Sequence, residues 1–115
     1  MIAATLTEHG FEVVVASDGY QATGLLTRPD HDIRLLIVDT EMPGLHGWEV
    51  IRFARKRTPR LRTLRLGRRD DAAPGAEYQV FRSLPSIPKP FTPRDLLVSV
   101  RRRMLPLARR RGASR

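Results

Sequence analysis

Cysteine is absent from this 115-residue chain, which excludes disulfides and thiolate metal sites and fits a reducing compartment. No apolar run approaches the roughly 18 residues of a membrane span. The first residues also lack the basic-then-apolar pattern of a signal peptide. Together these absences predict a cytoplasmic protein with no membrane partner. Lysine is scarce as well: Lys56 and Lys89 are the only ones, so the formal charge of +9 is almost entirely arginine. Such a charge can supply non-specific phosphate contacts to a nucleic acid. The arginines, however, are spread over Arg52 to Arg69 and Arg94 to Arg115, and no helix-turn-helix, zinc-finger spacing or aromatic stacking set accompanies them. A solvated basic surface is the preferred reading over a nucleic-acid interface. The length suits one domain, read as residues 1–104, with 105–115 as a basic tail and no room for a separate output domain.

What the chain does have is concentrated in Leu35 to Gly47, LLIVDTEMPGLHG. An apolar run that stops on one carboxylate, Asp39, reads as a strand buried on both faces, as in parallel sheets. An acid at the carboxyl end of such a strand lies in the crevice where open α/β sheets place their chemistry. A helix cap or turn former is the structural alternative for Asp39, and this segment alone leaves the two readings balanced.

The second signal is Ile87-Pro88-Lys89-Pro90-Phe91, followed by Thr92-Pro93-Arg94-Asp95-Leu96-Leu97. Taken together, the two segments resemble the receiver domain of bacterial two-component response regulators, whose phosphoacceptor motif runs D-x-x-M-P-x-x-x-G and whose last strand ends in K-P-F or K-P-Y. The likeness extends from Leu6-Thr7-Glu8-His9-Gly10-Phe11-Glu12-Val13, through Ala16-Ser17-Asp18-Gly19 and Ala22, to about Met104. It implies that Asp39 accepts a phosphoryl group and that Lys89 is its charge partner, aimed by a cis Lys89-Pro90 bond. It also implies a flavodoxin-like, doubly wound parallel α/β sheet.

The residues themselves support that architecture. Met1 to His9 reads as a helix closed by Gly10, and Phe11 to Val15 as a strand. Asp18 caps a helix to about Thr27, broken at Arg28-Pro29-Asp30. Ile33 to Val38 is the next strand, and Trp48 to Arg57 a helix with Val50, Ile51 and Ala54 on one face. Leu61 to Leu66 alternates, as a strand at or near a sheet edge would. Thr92 caps the last helix, with Pro93 at its first position, Asp95 in its first turn, and Leu96, Leu97, Val100 and Met104 as the stripe. Alternating strands and helices imply a parallel sheet with right-handed crossovers.

Three departures qualify the resemblance. The chain begins midway through the family's first helix, so it lacks the first strand of the usual five and the acids that end it. Those acids would hold Mg²⁺. Only Asp39 and the backbone carbonyl of Glu41 remain of the implied ligand set, and ion binding is expected to be poor. The position where receivers carry a Ser or Thr falls on Leu66 or Gly67, neither with a hydroxyl, although a glycine N–H could still serve an anion. Between Arg68 and Ser86 the fourth helix is shortened: Asp70 to Ala73 makes one turn at most, and Tyr78 to Phe81 looks extended. Ser86 stands where many receivers have a switch aromatic.

Other candidates read as structural. His31 and His46 are loop histidines without metal-ligand spacing, Ser17 with Asp18 has no histidine base, and Trp48 and Phe53 are packing residues. The expectation is therefore a non-enzymatic phosphorelay receiver taking a phosphoryl group on Asp39 from a histidine kinase or phosphotransfer protein. A degenerate receiver serving as an interaction module is the rival, and a basic nucleic-acid-binding protein the third class. Exposed edges beside the missing strand imply marginal stability and a homodimer or aggregation.

Overall fold

The computed structural model describes residues 2–39, 47–67 and 83–105. Helix α1 is Ile2–Glu8, α2 Gly19–Leu26, α3 Gly47–Arg57 and α4 Pro93–Arg103; strand β1 is Leu35–Asp39, β2 Arg62–Leu66 and β3 Ser86–Ile87. The three strands are parallel in the order β1-β2-β3.

Each helix ends where the sequence supplies a reason. Gly10, at φ 92°, donates its N–H to the Thr7 carbonyl while Phe11 donates to Leu6, the paired closure of a glycine-terminated helix. Asp18 accepts from the Gln21 N–H at 2.8 Å and caps α2. At α4 the cap is reciprocal: the Thr92 hydroxyl accepts from the Asp95 N–H and the Asp95 carboxylate accepts from the Thr92 N–H, both at 3.0 Å. The far end of α4 is strapped to β2, because Arg103 donates from Nε to the Thr63 carbonyl and Arg62 donates to the Arg103 carbonyl.

Successive strand residues face opposite sides, and the core divides accordingly. Leu64, Leu66 and Ile87 pack with Leu6 of α1 and Leu96 and Val100 of α4. On the other face Val38 packs with Ala22 of α2 and Val50 and Ile51 of α3, continuing to Leu26, Ala54 and Leu61. The sheet is thus covered on both sides, as a doubly wound fold requires.

Two expectations are corrected. The strand read over Leu61 to Leu66 is Arg62–Leu66, one position in from the edge strand β3, and its alternating polar positions are buried rather than wet: Thr63 is 3% exposed and Arg65 0%. The alternation reflects side chains tucked between sheet and helix, not a wet face. Phe11 to Val15 forms no strand ladder. Among the described residues, the backbone N–H groups of Glu12 to Ala16 make no hydrogen bond, because no strand lies beside this segment, and Val14 and Val15 are left 66% and 64% exposed. Of the segment Arg68 to Ser86, where a shortened fourth helix is expected, residues 68–82 lie outside the described residues, as do His46 and the tail from Pro106.

Candidate functional site at the carboxyl edge of the sheet

The register of the sheet builds the site. Asp39 pairs with Leu66 and Leu66 with Ile87, so these three residues form a row across the carboxyl ends of the strands. The chain leaves β3 through Pro88 and Lys89, whose peptide bond to Pro90 is cis as expected, before Thr92 starts α4. Lys89 therefore sits two residues beyond the row that ends on Asp39.

There the side chains meet. The Lys89 ammonium donates to Oδ1 of Asp39 at 2.9 Å and to Oδ2 at 2.8 Å. The side chains are 40% and 41% exposed, so the pair faces the crevice rather than the core. An ion pair this wet contributes little to stability. Among the described residues the Asp39 carboxylate is engaged by Lys89 and caps no helix.

The row also accounts for the missing hydroxyl. Leu66 is 2% exposed and belongs to the apolar cluster against α1 and α4. Gly67 follows at φ 130°, a backbone conformation that a side chain disfavours. Its N–H donates to the Ile87 carbonyl at 2.9 Å. The expectation that this N–H could serve an anion is thereby corrected: the β2–β3 register consumes it, a commitment that only the pairing could have disclosed. Thr63 lies mid-strand opposite Leu36, well away from the row.

The described donor set does not fit Mg²⁺. No three His, Asp or Glu side chains converge among the described residues. Asp39 is the one described member of the implied ligand set, and both its oxygens already accept from Lys89. Glu41 lies outside the described residues. An octahedral ion needs more anionic oxygen than one engaged carboxylate provides.

The remaining candidates have structural roles. His31 accepts from the Ile33 N–H at Nδ1 and contacts the Thr58 hydroxyl at Nε2, 3.4 Å, tying two loops together. Trp48 and Phe53 pack against the α2–α3 core, and the guanidinium groups of Arg52 and Arg57 lie over their rings at 5.0 and 5.8 Å. Ser17 bonds Gln21, completing the start of α2. Ser86 lies on β3 opposite Arg65.

A doubly wound parallel sheet with a carboxylate and an ammonium joined across its carboxyl edge defines an α/β domain with its chemistry at the strand ends. The chain belongs to the response regulator receiver domain family, whose model matches residues 1–101. It is 34% identical over 103 residues to the transcriptional regulatory protein CpxR of Escherichia coli K12, covering 88% of this chain and 42% of that one. It thus spans less than half the length of the curated relatives it matches. The chemotaxis regulator CheY4 of Vibrio cholerae superposes with a TM-score of 0.74 at 26% identity, covering 90% of this chain and 87% of that one. The receiver domain of the sensor histidine kinase PA1611 of Pseudomonas aeruginosa, whose structure has a magnesium ion in its active-site cleft, shares the fold with a TM-score of 0.70 at 24% identity, covering 89% and 84%. The doubly wound fold and the assignment to two-component signalling stand on these likenesses. Among the described residues no helix is long and apolar enough to cross a membrane.

Proposed function

We propose that this receiver domain, in the cytoplasm, accepts a phosphoryl group on Asp39 from the phosphohistidine of a histidine kinase or phosphotransfer protein, and is not itself an enzyme acting on other substrates. The carrying observation is the contact of Lys89 with both oxygens of a half-exposed aspartate at the carboxyl edge of the sheet. In the step, a carboxylate oxygen of Asp39 attacks phosphorus in line. The new O–P bond forms as the P–N bond breaks, the electron pair leaving with the imidazole nitrogen, which takes up a proton. Lys89 supplies positive charge beside the transferring oxygens and then stabilises the acyl phosphate. Lys89 is the cation in contact with Asp39 among the described residues, and with no complete Mg²⁺ ligand set among them transfer is expected to be slow.

Phosphoramidate, a small donor with a P–N bond, tests the reading. Slow incorporation of one phosphoryl group per chain, abolished by Asp39→Asn, supports it. Incorporation that survives Asp39→Asn overturns it.

A further inference from the structure

The arginines that lie scattered along the sequence gather in the fold. Helices of a doubly wound sheet run against its strands, so their carboxyl ends lie at the amino edge, opposite Asp39 and Lys89. Hydrogen bonds tie that edge together. Arg57 at the end of α3 donates to the Thr27 carbonyl at the end of α2, the Arg62 N–H donates to the Arg34 carbonyl across the strand starts, and the Arg62 guanidinium donates to the Arg103 carbonyl at the end of α4. The basic last turns Arg55-Lys56-Arg57 and Arg101-Arg102-Arg103 are thereby brought to one side of the molecule. Arg34 and Arg60, just before β1 and β2, stand between them. While Arg57, Arg62 and Arg103 are engaged in the bonds of the edge itself, Arg34, Arg55, Lys56, Arg60, Arg101 and Arg102 are exposed and form no ion pair among the described residues. Glu8, Glu12, Asp30 and Asp32 lie at the same edge without pairing with them. Helix dipoles favour cations in the last turns of α3 and α4. Arg34 and Arg60 close no helix, so the dipoles leave them unexplained.

We infer that this basic edge binds the phosphate backbone of double-helical nucleic acid without reading its sequence. The inference does not rest on phosphorylation of Asp39: β1 and β2 have five residues each, which at about 3.3 Å per residue sets the two edges roughly 16 Å apart. Both can be occupied at once. Guanidinium groups present paired donors that match phosphate oxygens, and all of the unpaired cations but Lys56 are arginines. Because α3 and α4 cover opposite faces of the sheet, their basic ends stand two packing layers of about 10 Å apart. A duplex, with one charge per about 1.7 Å of its axis, reaches both ends, whereas an isolated anion reaches one. Single strands are disfavoured, since they are held by stacking on exposed aromatic rings, and Phe11 and Phe53 near this edge are packed into the core clusters. A protein partner is disfavoured too, because protein interfaces centre on apolar anchors. Of the exposed large hydrophobic side chains among the described residues, Leu105 alone lies at this edge.

The test is fluorescence anisotropy of a labelled DNA duplex of mixed sequence, two helical turns long, titrated with the intact 115-residue protein. Raising salt from about 50 to about 200 mM is expected to weaken binding roughly 100-fold, the response when about four phosphates are neutralised. Arg55→Ser combined with Arg101→Ser removes one exposed cation from each face, so the fold should persist while the same rise in salt weakens binding only roughly tenfold. Arg94→Ser alters an exposed arginine at the opposite edge and should leave duplex binding unchanged. Absence of duplex binding at the lower salt would overturn the proposal, as would an equal loss in Arg94→Ser or tighter binding of the corresponding single strand. An unaltered salt response in the double variant would do the same, placing the contacts in Arg109, Arg110 and Arg111 of the tail. Equal binding of polyglutamate, or of vesicles rich in phosphatidylserine, would make the edge a protein or a membrane contact instead.

Discussion

The Lys89 ammonium bridges both carboxylate oxygens of Asp39 from a position 50 residues away in the chain. With the two side chains 40% and 41% exposed, the pair is screened by water, and such pairs are worth at most about 1 kcal/mol to stability. Lys89→Ala should therefore shift the denaturation free energy by less than about 1 kcal/mol. It should also slow phosphorylation of Asp39 by roughly 100-fold, the scale for removing one donor at a developing negative charge. Parallel urea melts and phosphoramidate time courses separate the effects. A large loss of stability with an unchanged rate would make Lys89 a turn residue.

The core makes the opposite prediction. Leu96 is 0% exposed and joins α4 to β2, β3 and α1. Leu96→Ala should cost about 2–5 kcal/mol, a large part of the roughly 5–15 kcal/mol that holds a domain of this size. Urea denaturation measures it, and a cost below about 1 kcal/mol would show that α4 is not seated as described.

The start of α4 should respond to acid. The Thr92 backbone N–H, with its hydroxyl next and Arg94 adding attraction, holds the Asp95 carboxyl below its ordinary range. A group whose pKa is depressed on folding contributes stability above its unfolded value, near pH 4, and loses that contribution as pH falls through the folded value. Asp95→Asn should consequently flatten the decline in stability below about pH 4. Thr92→Ala, which deletes the other half of the box, should cost about 0.5–2 kcal/mol at neutral pH. Melts of the two variants across the acid range check both statements.

Much of this was legible because local chemistry and long-range packing agree. LLIVD ending on Asp39, the Thr92-Pro93-Arg94-Asp95 cap and the Val50, Ile51, Ala54 stripe each carry their own signal, and each lies where the pattern placed it. Phe11 to Val15 has the β-branched content of a strand, but a strand exists only with a ladder partner, and none lies beside it among the described residues. The burial of Arg62–Leu66 was hidden because Thr63 and Arg65 look polar while being buried. Gly67 was misread because its N–H is committed to Ile87 by a register no local pattern encodes.

The two halves of the sheet should differ in exchange. In the free protein, the amides of Leu64 and Leu66, inside the β2 ladder, should be protected, whereas those of Val13 and Val15 should exchange near the rate of an open chain. Comparable protection in both segments would mean that 11–16 is paired in solution.

The most direct test of the central claim is to locate the phosphoryl group. After prolonged incubation with phosphoramidate, borohydride reduction converts an aspartyl phosphate to homoserine, which peptide mass spectrometry places in the sequence. The account predicts conversion at position 39 alone, and none in Asp39→Asn. Conversion at another aspartate, or none at all in the native chain, would contradict it and leave the domain as a receiver fold used for protein contact without phosphorylation.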